Sequence, residues 1–164
     1  MYQHDAKQVA AAKAEKYILA IIKEVESLIP LVFEPDLPSN DVPFWHPFEH
    51  EIWQRGEEIR QLLNVHKKLR NKDNILDKIF EVSINRRLKK GRQSFIMLLG
   101  NVDSKRYGAN LITQLDDRCV YGHIIDAVYK MKLPEFVEAI KPYCDDEEAW
   151  IRNKAKKYIE KYGN

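Results

Sequence analysis

Apolar positions recur at helical intervals from one end of this chain to the other, and no stretch of any length alternates as a strand does. Ala14, Ile18, Ile21, Val25 and Leu28 make one stripe, with Lys13, Lys16, Lys23 and Glu24 off it. An N-terminal segment 1–29 is therefore predicted, with a long amphipathic helix over 4–29 ended by Pro30. Residues 30–47 carry prolines at 30, 35, 38, 43 and 47 and no periodicity, which predicts an extended loop. Val42, Phe44, Trp45 and Phe48 make it too apolar for a free linker, so a strap across neighbouring helices is expected. A second helix starts near Pro47 and carries Ile52, Ile59, Leu62 and Leu63. A third, capped by Asp73-Asn74, carries Ile75, Leu76, Ile79, Phe80, Ile84 and Leu88 until Gly91 interrupts it.

Past Gly91 the helices shorten, to about 92–100, 104–115, 119–131, 134–143 and 147–161. Pro134 opens the fourth of these, and Asp145 with Glu148 makes a capping-box pattern before the last. The chain reads as one all-α domain over 1–164. Its parts are the N-terminal helix, the strap, irregular helical pairs over 48–90 and a regular region over 92–162.

That regular region repeats itself. The Asp-Asp pairs 116–117 and 145–146 lie 29 residues apart, and Val120 and Ile151 lie 31 apart. Phe95, Ile124 and Ala155 fall in one column, Leu99, Val128 and Ile159 in a second, Val102, Met131 and Tyr162 in a third. Leu111 superposes on Ile140, and Leu115 on Cys144. A single helix pair cannot bury its stripe alone, so a repeat of this length calls for stacked pairs sharing a core.

Phe136-Val137-Glu138-Ala139-Ile140-Lys141-Pro142-Tyr143, the Asp-Asp turn, and Trp150-Ile151-Arg152-Asn153-Lys154-Ala155 together resemble a repeat of the HEAT-like α-solenoid family. Pro142 late in the first helix, Asp in the turn and Arg152 after an apolar residue carry the likeness. It covers 92–162 well and 44–90 more loosely, and leaves 1–43 uncovered. Tyr121 stands where a second Arg would continue a ladder with Arg152, and Gly122-His123 replaces bulkier helix formers. The resemblance implies a short solenoid of about three to four helix pairs preceded by the extra N-terminal helix, with second helices lining a concave surface. Its members are chiefly protein-binding scaffolds, with some nucleic-acid binders and a few enzymes, so fold is specified far better than partner.

Charge changes the picture little. Among 164 residues, 27 Lys and Arg face 25 Asp and Glu, a net charge of +2, which argues against a protein built wholly around a polyanion. The longest apolar runs, such as 18–22, are far short of a membrane span, and no signal peptide is read at Met1-Tyr2-Gln3-His4-Asp5. Two cysteines, Cys119 and Cys144, make neither a disulfide framework nor a zinc pattern, so a cytoplasmic protein with reduced thiols and no cofactor is expected.

Four groups of residues are candidates for function. His46, Glu49 and His50 spell H-x-x-E-H, the inverted zinc-protease pattern, and the competing reading is a helix start with a His near its cap. Arg86, Arg87, Lys89, Lys90 and Arg92 would form a polyanion patch, unless they complement a helix C-terminus. Phe44, Trp45, Phe48 and Trp53 would either recognise a ligand or plug an open end of the fold. Gln93, Tyr121, Asp126, Tyr129, Asn153 and Lys156, with Ile125, would form the concave binding face, Tyr being frequent at interface hot spots. A Cys119–His123 pair would activate a thiolate, but both cysteines sit where packing residues are expected. The expected function is a non-enzymatic scaffold for a protein partner. A nucleic-acid module like the HEAT-like DNA glycosylases comes second, and a metal hydrolase using His46, Glu49 and His50 third.

Overall fold

The computed structural model describes residues 2–37 and 44–164, with side chains from Ala10 onward, and among these it contains helices and no strand. Pro38, Val42 and Pro43 of the expected strap lie outside the described residues. The α-helices are α1 (Tyr2–Val25), α2 (Pro47–Val65), α3 (Asp73–Ile84), α4 (Gln93–Leu98), α5 (Gly108–Leu111), α6 (Tyr121–Lys130), α7 (Val137–Ile140) and α8 (Ala149–Tyr162), joined largely by short 3-10 turns. None of them is long and apolar enough to cross a membrane. Two compact units, Met1–Phe95 and Ile96–Asn164, meet within α4 along the chain.

In the N-terminal unit, Ala14, Ile18, Ile21 and Val25 of α1 are buried as their spacing requires, and Leu28 is half-buried in the 3-10 turn Glu26–Leu28. Tyr17 donates to Glu58 at 2.6 Å and Glu24 lies 3.9 Å from Arg55, so α1 and α2 run antiparallel. Glu15 accepts from Lys72 (2.5 Å) and Asn74 (2.8 Å) at the start of α3, while Ile22 and, near the end of α3, Val82 line one groove. Hence α1 and α3 run parallel. Ile18, Ile52, Ile59, Ile75 and Ile79 are fully buried among these helices, each worth roughly 1.5–3 kcal/mol over leaving it in water.

Helix α3 is shorter than its apolar pattern predicts. Leu88 is fully buried, yet the helix stops at Ile84 because Asn85 turns extended and its side chain accepts from the Arg87 N–H at 3.1 Å. A 3-10 segment, Arg86–Arg92, follows, broken at Lys89 (φ 47°, ψ −129°). Gly91 closes it against α2: a Cβ there would lie 2.8 Å from Ile52 Cβ and 2.9 Å from the Glu49 carbonyl oxygen. The start of α3 differs too. Lys72 is its cap residue but makes no side-chain capping bond, its ammonium going to Glu15, and Asn74 turns to Glu15 and the Ile75 N–H.

The C-terminal unit contains two helix pairs whose first members are mixed rather than continuous. The expected helix over 104–115 is a 3-10 turn (Val102–Tyr107), α5 and another 3-10 turn (Ile112–Gln114), and 134–143 is α7 followed by 3-10 Lys141–Asp145. The second members are α6 and α8. His123 meets Trp150, Asp126 meets Lys154 and Tyr129 meets Lys157, so contacts advance together and α6 and α8 run parallel. The Tyr143 hydroxyl donates to the Leu115 carbonyl at 2.8 Å, joining the ends of successive first members. Gly122 permits a close approach, since a Cβ there would lie 2.3 Å from the tip of Trp150 and 2.8 Å from Ile151 Cγ1.

Burial follows the first two repeat columns: Phe95, Ile124, Ala155, Leu99 and Val128 are fully buried and Ile159 half-buried. Phe95 belongs to the N-terminal unit, beside Gly56 of α2. The third column breaks at Val102, which starts a 3-10 turn with 46% of its surface exposed. The expected capping box before α8 is absent. Glu148 is the cap residue, and Asp146 Oδ1 accepts from its N–H at 2.9 Å. Arg152 donates to the Asp146 and Glu147 carbonyls, tying down its own turn.

Candidate functional site

The H-x-x-E-H residues serve as structural anchors. Pro47 begins α2 and His46 is its cap residue. Glu49 is fully buried, and its carboxylate accepts from the His46 N–H at 2.8 Å and the Lys90 N–H at 2.9 Å. A carboxylate already holding two backbone amides is poorly placed to activate water. The two imidazoles also diverge: His46 Nε2 lies 2.7 Å from Asp36 Oδ1, while the His50 ring packs against Trp45. Hydrogen bonding to His46, then to Lys89, holds the Asp36 carboxyl below its ordinary range. No cluster of three or more metal-ligating side chains occurs among the described residues.

The basic run does not act as one patch. Arg92 is fully buried and donates to the Ser83 carbonyl at 2.8 Å near the end of α3, as a cation at a helix C-terminus favours. Lys89 reaches Asp36 (3.3 Å) and the Phe33 ring (5.3 Å), and Lys90 donates to the Phe44 carbonyl at 2.7 Å. Two lysines thus clamp the described parts of the strap, leaving Arg86 and Arg87 on the surface. Of the aromatic cluster, Phe44 and Phe48 each pack on the His46 ring, Phe48 also meets Phe33 from the strap, and Trp45 and Trp53 are half-buried.

The expected concave face is only partly assembled. Tyr121 is 4% exposed; its hydroxyl donates to Asp146 Oδ1 at 3.2 Å and its ring packs on Tyr143, so it is covered rather than presented. Ile125 is fully buried, as the packing alternative has it. Gln93 belongs to the N-terminal unit, half-buried at the start of α4. Asp126 and Tyr129 remain, with Asn153 and Lys156 exposed on α8.

Around Asp126 and Tyr129 the parallel α6 and α8 build a ladder. At one end His123 packs edge-on to Trp150 (5.2 Å between ring centres), and the indole is 42% exposed. Burial pushes the His123 imidazole down to about 4, so it is neutral at physiological pH. In the middle, Asp126 takes Lys154 at 2.6 Å and Lys130 at 2.7 Å. Burial raises the Asp126 carboxyl, but the two lysine hydrogen bonds outweigh it and hold it low. At the far end the Lys157 and Lys161 ammoniums stand 4.9 and 4.7 Å from the centre of the Tyr129 ring. The result is a strip with a half-exposed indole at one end and exposed ammoniums at the other, while Asp145, Asp146, Glu147 and Glu148 lie just before Trp150.

Compared with known proteins, the chain matches no protein family, no curated protein and no solved structure.

Trp150, Lys154, Lys157 and Lys161 sit at helical spacing, a signal present in the sequence. What makes them one site is their register against α6, which spacing within α8 does not give. The Cys119–His123 pair does not gain from the structure: the imidazole packs on Trp150, and burial disfavours its charged form.

Proposed function

We propose that this chain is a non-enzymatic binding module of HEAT-like build, and that the α6/α8 strip holds a segment of a protein partner. Parallel second helices, with the ends of successive first members joined through Tyr143, support the stacked-pair reading. The observation that carries the function is the half-exposed Trp150 standing in register with a row of lysines. Such an indole is an amphipathic anchor of low side-chain entropy, and the ammoniums beyond it favour carboxylates.

Nucleic acid is the second reading, and two features weigh against it. Lys89, Lys90 and Arg92 are engaged within the N-terminal unit. The strip is bipolar, acidic before Trp150 and basic after it, whereas a phosphate backbone is uniformly negative. A polypeptide with an apolar or aromatic residue over Trp150 and carboxylates over Lys157 and Lys161 matches both ends.

The test is capture from an extract of the native host by the whole chain, by Trp150→Ala and by Lys157→Glu with Lys161→Glu. One protein retained by the unaltered chain and lost by both variants is expected, with single-stranded DNA not retained. Capture indifferent to both variants removes the strip from the reading. DNA retention that collapses between about 50 and 200 mM salt, and disappears in the charge variant, replaces it with the second reading.

A further inference from the structure

Trp150, Lys154, Lys157 and Lys161 follow one another by four, three and four residues, which keeps them within about 60° of one another around α8. At about 1.5 Å per residue, Lys154 stands about 6 Å along the row from the indole, Lys157 about 10.5 Å and Lys161 about 16.5 Å. The last two ammoniums converge, 4.9 and 4.7 Å from the centre of the one Tyr129 ring. Neither has a carboxylate partner among the described residues, and Glu160 stands about a quarter-turn off the row. Lys154 differs, because Asp126 holds it at 2.6 Å and Lys130 at 2.7 Å. The row is therefore one exposed indole, a closed ion-pair cluster and an open pair of cations.

We infer, resting on the reading of the strip as a protein-binding surface, that its occupant is an extended acidic segment. An apolar or aromatic residue lies over Trp150, and a carboxylate four residues away sits between Lys157 and Lys161. Side chains of an extended chain return to one face every second residue, about 6.6 Å apart. The second residue past the anchor thus lies over the Asp126 cluster, and the fourth, at about 13.2 Å, falls midway between the two lysines. A spacing of three or five turns the carboxylate to the opposite face. A helix fits worse. It needs a stripe of apolar anchors over several turns, and the row offers the indole alone. The rest of its seam would cover the Asp126 cluster and desolvate charges already paired. A strand also spans the row with about five ordered residues where a helix takes about twelve, and so loses less conformational entropy. The spacing is the same from either end, so both chain directions are accommodated.

End-blocked synthetic peptides titrated into the full, nitrogen-15-labelled chain test this, read at the Trp150 indole N–H. A peptide with Phe and a Glu four residues on, or the same pair in reverse order, with Ser and Thr elsewhere, is expected to shift that signal with a Kd on the order of 0.1–1 mM. Replacing the Glu by Gln, or moving it to the third or fifth place, weakens binding about fivefold. In the chain carrying Lys157→Glu and Lys161→Glu the preference inverts, and a peptide with Lys in place of Glu binds instead. Both lysines are exposed, so that variant keeps the wild-type far-UV circular dichroism. Binding to the unaltered chain that ignores the position of the Glu overturns the inference. So does tighter binding of a helical peptide with Glu seven and eleven residues past its Phe, or binding confined to phosphoserine in place of Glu. If no peptide binds while host-protein capture still depends on Trp150 and the two lysines, the extended register is wrong and the role of the strip stands. If capture is indifferent to them as well, both fall.

Discussion

In the N-terminal unit, Glu49 and Arg92 are buried outright and hold backbone groups at the start of α2, at Lys90 and at the end of α3. In the C-terminal unit the comparable duty falls to tyrosines, and it recurs: Tyr143 ties one helix pair to the last, Tyr121 holds the Asp146 turn, and Tyr158 closes the α6–α7 connection. The Tyr158 side chain is fully buried, donating to the Leu133 carbonyl and accepting from the Phe136 N–H at 3.1 Å. The difference teaches how each unit specifies itself. A neutral hydroxyl is cheap to bury and easily reused, so it suits a repeating pair. A charged anchor is costly unless fully satisfied, and satisfying it takes a particular turn such as 86–92, which fixes one arrangement and resists repetition.

If that contrast holds, Glu49→Ala is the most damaging single change. It orphans the His46 and Lys90 amides and should lower stability by about 3–5 kcal/mol in urea unfolding. A loss below about 1 kcal/mol would put the anchoring of this unit elsewhere. The glycines offer a sharper comparison. Gly91→Ala meets backbone and a Cβ, so about 2–3 kcal/mol is expected, while Gly122→Ala meets chiefly the far end of Trp150 and should cost about 1–2 kcal/mol. Equal effects would mean that α6 and α8 cannot give. Tyr158→Phe leaves the Phe136 N–H without its acceptor and should cost about 1–2 kcal/mol, with Tyr143→Phe smaller because that hydroxyl is half-buried.

The smallest effect concerns pH. The folded His123 imidazole titrates near 4 and an unfolded one near 6.5. As pH falls, the unfolded chain therefore takes up the proton first, and stability drops between these values. About 1 kcal/mol is lost by pH 5.5, and His123→Gln should flatten that part of the curve. A wild-type curve that is already flat there would show that solvent reaches the ring.

How much of this was readable beforehand differs by element. The α1 stripe and the start of α2 follow from apolar spacing and Pro47, because they are local. Leu88 shows the limit: a periodic apolar position reports burial, and the chain reached it through a 3-10 turn set by Asn85 rather than by continuing α3. Tyr121 shows another. On a helical wheel it points away from the packing column, but Tyr143 and Asp146 from the next pair cover it, and no wheel contains a neighbour.

The candidate site divides in the same way. The spacing of Trp150, Lys154, Lys157 and Lys161 was open to inspection, and so was the H-x-x-E-H pattern. Which one forms an exposed surface and which one an internal anchor depended on register between helices and on where a strap and a turn of unlike sequence came to rest. Helical content, the stripes and the period were set by residues acting within a few positions of one another, where backbone sterics and 3.6-residue periodicity decide. The fates of Glu49, Arg92, Tyr121 and the lysine row were decided only on folding, since burial and charge pairing depend on neighbours far along the chain.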